Sequence, residues 1–581
     1  MEPTDSLGLS RRWWRAAVLA LGIATLYWLF GWRPLQVQLW LVVDDGLYVR
    51  QAEGFLAWLQ GKSAGWLGAF DCFLLAKAPL YGVWLALVNL LGIPLRVAEF
   101  LLVLSGAFLF RRAFAPVRKL RFVEFLLVLF LLVANPFLPG DFRLQRFGLQ
   151  MALTNLCLVS LVGLCLRLVA PVRQRIVWSA SAGLFFGLAY LNREDAAWLL
   201  GPLLTAFALQ WFLPWLTVEG RRNVRSRVKA DLAVLACVVI AALVPVLTVC
   251  SLNKAHYGAF MTTFRHSSAL TGLYHRLTSL EPSGHQPYVP IARPTRLKAY
   301  ALSPTFAKMQ PFLEGNDGYW HAGNEQAALN GHPAGDKEFF VSYFEFSLLW
   351  AAEKMGAKRA GEMEAIFRSI DRELAEAVRA KKIEAGRSGP ALLAAPVAGD
   401  FRKFLSALGT SVWSLLFVSG DDQAFPSGGQ SGAAQLERVG RLTHAWPGPL
   451  PAPHMQYSMR ARSLRIIRKI QHIFYPFLFV ALPAVLFWRR HDLVAKCLDQ
   501  RTILLWTALV PYVALLAFCA GMSVVEILGF RGVASGDYNK LGFSALTVLA
   551  ALAVSTLTTF VAVVPEPAKE PARPSLPVEA P

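Results

Sequence analysis

The sequence predicts an all-α polytopic membrane protein, with about ten spanning helices, short juxtamembrane helices and a mixed, mainly helical outer domain. Three observations carry that prediction. Of 581 residues, 55% are hydrophobic and only 17% charged, whereas ordinary soluble domains carry roughly a quarter charged residues. The apolar residues gather into runs near the length that crosses a bilayer. Between those runs the 58 Lys and Arg fall in short clusters that alternate with loops of mixed charge, the pattern that orients membrane helices. This placement explains the net charge of +20 without a nucleic-acid partner. The seven cysteines lie mostly inside apolar runs and show neither a disulfide framework nor thiolate metal spacing.

In chain order, Ser10-Arg11-Arg12-Trp13-Trp14-Arg15 precedes a first span at 16–42, read as an uncleaved helix with its basic end in the cytoplasm. That helix delivers Asp44-Asp45 to the other face. Residues 48–60 suit a short helix in the interface, and 80–91, ended by Gly92-Ile93-Pro94, a second juxtamembrane helix. Further spans are expected at 95–110, 122–138, 147–168, 176–191, 198–216 and 232–252. With that order, clusters such as Arg111, Arg112, Arg118, Lys119 and Arg121, or Arg221, Arg222, Arg225, Arg227 and Lys229, share one side. Asp141 with Arg143 and Arg146, and Arg193-Glu194-Asp195, share the other.

Residues 253–471 contain no confident span and are expected to form the outer domain. Its first part, 257–335, is rich in Pro, Gly, His and aromatic residues and reads as irregular. Farther on, Met363, Ile366, Phe367, Ile370 and Leu374 make one helical face, whose expected partner is 339–355 or the membrane surface. The short uncharged stretch 404–418 is read as non-spanning, and 459–473 as a basic amphipathic stretch holding anionic headgroups at the outer interface. Spans at 474–488, 503–522 and 541–564 follow, then a disordered cytoplasmic tail at 565–581. The organisation expected is thus a membrane module at 1–252 with its first outer loop at 43–94, the outer domain at 253–471, a second membrane module at 472–564 and the tail.

Four outer loops bring ionisable groups to one rim: Asp44-Asp45; Asp141, Arg143 and Arg146; Arg193-Glu194-Asp195; and Arg531, Asp537, Tyr538 and Lys540. A charge near hydrocarbon is costly unless paired or wet, so these groups are read as a functional site, the alternative for Asp44 and Asp45 being that they mark where the first helix leaves the bilayer. The span interiors are nearly free of charge. Glu99 is the main exception and is read as pairing with Arg96. Carboxylates beside cations suit a site that takes a proton from an acceptor hydroxyl while holding a phosphate leaving group. The chain lacks a glycine-rich phosphate loop for a soluble nucleotide-sugar, so a lipid-linked phosphate donor fits better. The histidines, among them His266, His275, His321 and His332, show no metal-ligand spacing.

Asp44-Asp45-Gly46-Leu47-Tyr48 followed by Lys77-Ala78-Pro79-Leu80-Tyr81-Gly82-Val83-Trp84 resembles the first outer loop of GT-C-fold glycosyltransferases. It is similar to the protein O-mannosyltransferase and lipid A aminoarabinose transferase group, where an Asp-Glu pair precedes Lys-Pro-Pro. Here Asp45 stands where Glu is usual and Ala78 where the first Pro is usual. Asp537-Tyr538 is a weaker echo of that group's Arg-Tyr-x-x-Pro. The resemblance implies a GT-C-like bundle and a polyprenyl-phosphate sugar donor, with Asp44 as general base, Asp45 beside it and Lys77 meeting the donor phosphate. Arg143 and Arg146, with lipid-headgroup anchoring as their alternative, and Arg531 and Lys540 are further phosphate candidates. Asp141, Glu194, Asp195, Asp537 and Tyr538 are candidates for the acceptor or a second acidic element, Glu194-Asp195 having a helix N-cap as its alternative. A divalent cation, Mg or Mn, at the Asp pair is left open.

The expected activity is sugar transfer to a glycan, lipid or protein acceptor on the non-cytoplasmic face of a bacterial inner membrane, with both termini cytoplasmic. The alternatives are a transporter or flippase of a lipid-linked or anionic solute, which calls for charges at mid-bilayer, and a non-catalytic envelope-polysaccharide assembly protein, which tolerates loss of Asp44.

Overall fold

The computed structural model describes residues 6–32, 35, 37, 39, 44–135, 143–216, 224–281, 288–315, 337–339, 341–386, 388, 396, 399–417, 433–445, 459–495, 498–528 and 541–562. Among them the chain is helical, with isolated bridges in place of any strand. It begins with α1 (Ser6–Leu26), which passes into a π-helical turn Tyr27–Gly31. Then come α2 (Asp45–Leu59), α3 (Leu80–Leu91), α4 (Leu95–Phe114), α5 (Phe122–Val133), α6 (Phe147–Cys165) and α7 (Val172–Asn192). A 3₁₀ turn, Glu194–Leu199, leads into α8 (Leu200–Trp215), and α9 (Val224–Tyr257) closes this half.

The outer region contains α10 (Ser268–Ser279), α11 (Arg293–Leu302), α12 (Val341–Lys354) and α13 (Ala360–Arg379). After it come α14 (Asp400–Leu416), α15 (Ala433–Thr443), α16 (Met459–Trp488), α17 (Gln500–Thr507), α18 (Leu509–Leu528) and α19 (Phe543–Ala562).

The chain is an integral membrane protein. Six helices among the described residues are long and apolar enough to cross a bilayer, and α3 with α4, bent by 106°, makes a seventh if the pair is one broken span. The three remaining expected segments coincide with α5, α7 and α19. The bend follows from Gly92, which ends α3 in the left-handed conformation at φ 64°, and from Pro94 at the start of α4. Two boundaries differ from expectation. The first helix stops at Gly31 and not at 42, because Pro34 restricts the residue before it and cannot continue the ladder. The basic stretch at 459–473 and the span after it form one continuous helix, α16.

Two apolar cores organise the molecule. The larger unites the membrane helices around α6, which is buried on every side. The smaller joins α10, α12 and α13, and it takes in Trp66, Leu67, Cys72, Leu74, Leu75 and Ala76 of the first outer loop. The face of α13 built from Met363, Phe367, Ile370 and Leu374 therefore packs on α12 as expected, and on α10 as well. By contrast, α14 lies along α18, with Leu415 and Leu416 in the membrane core. Helix α2 does not lie open in an interface. It is wedged between the cores, with Leu47 in the outer one and Tyr48, Val49 and Ala52 in the membrane one.

The contact between α7 and α9 depends on Gly183 and Gly187, four residues apart, where an added Cβ would run into the carbonyls of Val238 and Ala242. Small residues at that spacing let two membrane helices approach backbone to backbone. Gly187→Leu is expected to lower stability by about 1–3 kcal/mol through overpacking, read as an earlier thermal unfolding transition in detergent. It is also expected to displace Tyr190 and Glu194, which the end of α7 positions.

Candidate functional site

The polar centre sits where the two cores meet. Asp44 is the N-cap of α2, and its carbonyl accepts from Tyr48 N at 3.1 Å. Lys77 ends the loop between α2 and α3. That loop is gripped from both sides: Gln51 Nε2 donates to Leu74 O at 2.9 Å and Lys77 O at 3.4 Å, and Phe264 N of the outer region donates to Leu75 O at 2.9 Å. Lys77 Nζ donates to Asp44 Oδ1, the two side chains being 16% and 34% exposed. The two residues that the sequence nominated first thus form one ion pair, reachable from solvent mainly through the carboxylate.

Asp45 has a different role. Its side chain is fully buried and accepts from Arg143 Nη2 at 2.7 Å. Arg143 is fixed in turn through its carbonyl by Arg96, whose pair with Glu99 at 3.0 Å is the one the sequence suggested. Arg146 donates to Asn192 O at 2.8 Å, lies 3.6 Å from Glu194 Oε2, and covers the Tyr48 ring at 5.6 Å. Glu194 Oε1 accepts from Ala78 N at 2.9 Å. It therefore ties the residue after Lys77 to the end of α7 and is not an N-cap, a position held by Arg193. Asp195 is closed off in a two-bond pair with Arg193, at 3.0 and 2.6 Å. Asp141, Arg531, Asp537, Tyr538 and Lys540 lie outside the described residues.

Electrostatics follow from this geometry. Burial alone would raise the Asp44 pKa, but Lys77, Arg143 and Arg146 outweigh it and hold the carboxyl below its usual 3.8. Burial pulls the Lys77 ammonium below its usual 10.5 against the pull of Asp44, with Arg146 and Arg265 adding to the lowering. The Tyr48 hydroxyl is pushed up by burial and stays neutral. Asp44 is thus an ionised carboxylate at neutral pH inside a cationic ring.

Two residues of the outer region, Arg265 and His266, reach the seam and were not legible in advance as part of the site. Arg265 reaches in from the outer region, its Nε donating to both oxygens of the buried Glu345 at 3.1 Å. His266 stacks on Tyr190 of α7 at 5.2 Å, with Nε2 3.0 Å from the tyrosine hydroxyl and Nδ1 2.7 Å from Thr262 Oγ1. Burial lowers the His266 pKa, so the ring is neutral at pH 7. The signal available was Thr262-Thr263-Phe264-Arg265-His266, a polar run just beyond the last span of the first module.

Fold and site together define an integral membrane protein whose polar centre is a carboxylate–ammonium pair framed by arginines at the seam between its two apolar cores. No family model matches the chain, and no curated protein matches it. Among solved structures, ArnT from Cupriavidus metallidurans in the apo state aligns over 94% of this chain and 78% of its own, at 12% identity and a TM-score of 0.30. The arabinosyltransferase EmbB from Mycobacterium smegmatis aligns over 96% of this chain and 42% of its own, at 12% identity and a TM-score of 0.28.

Proposed function

We propose that the protein is a membrane glycosyltransferase that moves a sugar from a polyprenyl-phosphate donor to a glycan, lipid or protein acceptor on the non-cytoplasmic face. The observation that carries this reading is the Asp44–Lys77 pair, a base and a phosphate-binding cation already in contact at a partly open site. An arriving donor phosphate competes for Lys77 and frees Asp44. The acceptor hydroxyl then gives its proton to the Asp44 carboxylate while its oxygen bonds to the anomeric carbon. The bond from that carbon to the phosphate oxygen breaks, and the electron pair leaves with the polyprenyl phosphate. Lys77, Arg146 and Arg265 balance the growing negative charge. Asp45, fully occupied by Arg143, acts as a positioning residue that sets the start of α2.

The proposed transfer runs on side chains alone, with Asp44 facing Lys77 and Asp45 facing Arg143. Among the described residues there is no group of three or more His, Cys, Asp or Glu side chains suited to a metal. The test is incubation of purified protein with a polyprenyl-phosphate sugar, following release of polyprenyl phosphate. Turnover by the wild-type chain and its loss in Lys77→Ala support the reading, and no turnover with any such donor and acceptor overturns it.

Arg265 gives a separate expectation. Removing a charged hydrogen-bond donor costs about 1.5–3 kcal/mol, so Arg265→Gln is expected to raise the donor KM by roughly ten- to a hundredfold, with partial recovery in Arg265→Lys. The Glu345 carboxyl, whose pKa burial already raises, then takes a proton instead of a partner.

A further inference from the structure

The amino-terminal half of α16 violates the charge rule that orders the rest of the chain. Arg460 donates to Trp32 O at 2.6 Å and Leu29 O at 3.0 Å and lies over the Trp32 ring at 5.4 Å. It thereby fastens the start of α16 to the end of α1 remote from Arg12 and Arg15. Tyr27 of that same end packs on Phe100 of α4 at 5.2 Å, one turn from Arg96, which holds the Arg143 loop of the site. Farther along α16, Gln471 Nε2 donates to Ala134 O at 2.8 Å, at the end of α5 that leads to Arg143. These contacts put Arg460, Arg462, Arg465, Arg468 and Lys469 on the face that bears Asp44. Lys and Arg in membrane proteins ordinarily collect on the opposite, cytoplasmic face.

Helix α16 contains no Asp or Glu from Met459 to Trp488. Among the described residues, Arg462, Arg465 and Lys469 have no acidic partner. All three are exposed and, at spacings of three and four residues, share one side of the helix. Beside that stripe runs an apolar one, Ile466, Ile470, Ile473 and Phe477, exposed by 60, 61, 76 and 69%. The cations lie toward the helix start. The apolar stripe continues past Gln471, level with the end of α5, into the uncharged part of the helix.

We propose that this half-helix is a docking site for an anionic phospholipid, with the headgroup phosphate among Arg462, Arg465 and Lys469 and one acyl chain along Ile466, Ile470, Ile473 and Phe477. Charge complementarity selects the occupant. Three cations with no acidic partner among the described residues call for a phosphate, and the apolar stripe beside them calls for a phosphate that carries a chain. The inference is independent of the reaction at Asp44.

The test uses the full chain, delipidated in detergent and offered phosphatidylglycerol or phosphatidylcholine of the same acyl composition, with retained lipid counted by native mass spectrometry. Retention of phosphatidylglycerol is expected to exceed that of phosphatidylcholine by about tenfold or more. The excess should vanish in Arg462→Gln/Arg465→Gln/Lys469→Gln and persist in Arg489→Gln/Arg490→Gln, which changes charge at the other end of the helix. Equal retention of the two lipids by the wild-type chain overturns the proposal, as does an undiminished preference in the triple variant or equal loss in both variants. Displacement of the lipid by millimolar inorganic phosphate also overturns it, since the site then reads phosphate without a chain. If the triple variant aggregates, the wild-type comparison and Lys469→Gln alone decide.

Discussion

Asp44→Asn is expected to abolish sugar transfer, lowering kcat by about 10²–10⁴, the range typical of losing a general base, while the protein still inserts and folds. The amide keeps the size of the side chain and can still accept a hydrogen bond from Lys77, but it cannot take the acceptor's proton. Donor binding is expected to hold or improve, because Lys77 no longer has a carboxylate to leave. A fall in kcat with an unchanged or lower donor KM therefore separates loss of the base from loss of the fold. Full turnover by Asp44→Asn would refute the proposed mechanism.

The pH profile carries the same signature. Because Lys77 and the arginines hold the Asp44 pKa below 3.8 in spite of burial, the acid limb of kcat is expected below the usual carboxylate range, with activity constant through neutral pH. Because burial lowers the Lys77 pKa, the alkaline limb is expected to begin below 10.5. The sign for stability follows from linkage. A carboxyl whose folded pKa is depressed adds stability at pH values above its unfolded pKa, and loses that contribution as pH falls through the folded one.

How much of this was legible depended on whether the signal was local. Asp44 and Lys77 could be nominated because a charge beside a long apolar run stands out by itself, and the Arg96–Glu99 pair could be read from two residues three apart in one helix. The bond between Glu194 and Ala78 joins residues 116 positions apart, and no periodicity encodes it. Arg265 and His266 sit in a 3₁₀ turn within a stretch with neither helical nor strand spacing, so only the fold brings them to Lys77 and Tyr190. The continuity of α16 was hidden for another reason. Its charge stops abruptly at Lys469, which looks like an element boundary, although a helix can pass from headgroup to hydrocarbon depth without a break. The end of α1 at Gly31 was encoded in the sequence, in Pro34, and was outweighed by the apolar residues after it.

The largest stability effect is expected at Arg296, far from the reaction. Its side chain is fully buried in the outer region and donates to Glu314 Oε1 at 2.9 Å, Glu338 Oε2 at 3.2 Å, Ile291 O at 3.0 Å and Lys337 O at 2.6 Å. It also covers the Phe339 ring at 4.7 Å. One guanidinium therefore bridges Glu314 and Glu338, two carboxylates that without it keep Arg293 (Nε to Glu314 at 3.1 Å, N to Glu338 at 2.9 Å) and the Tyr300 hydroxyl as partners. Removing one member of a buried ion network costs up to about 3–5 kcal/mol, and here the loss of Arg296 leaves Glu314 and Glu338 only partly compensated, by Arg293 and Tyr300. Arg296→Met, similar in length but uncharged, is expected to lower the unfolding transition of the outer region by that amount, measured in detergent by near-ultraviolet circular dichroism. Arg296→Met/Glu314→Gln/Glu338→Gln, which removes the charges together, is expected to recover part of the loss. If the single variant unfolds like the wild type, the network is not what holds these segments. If the triple variant is no better than the single one, the lost backbone hydrogen bonds to Ile291 and Lys337, and not the stranded charges, set the cost.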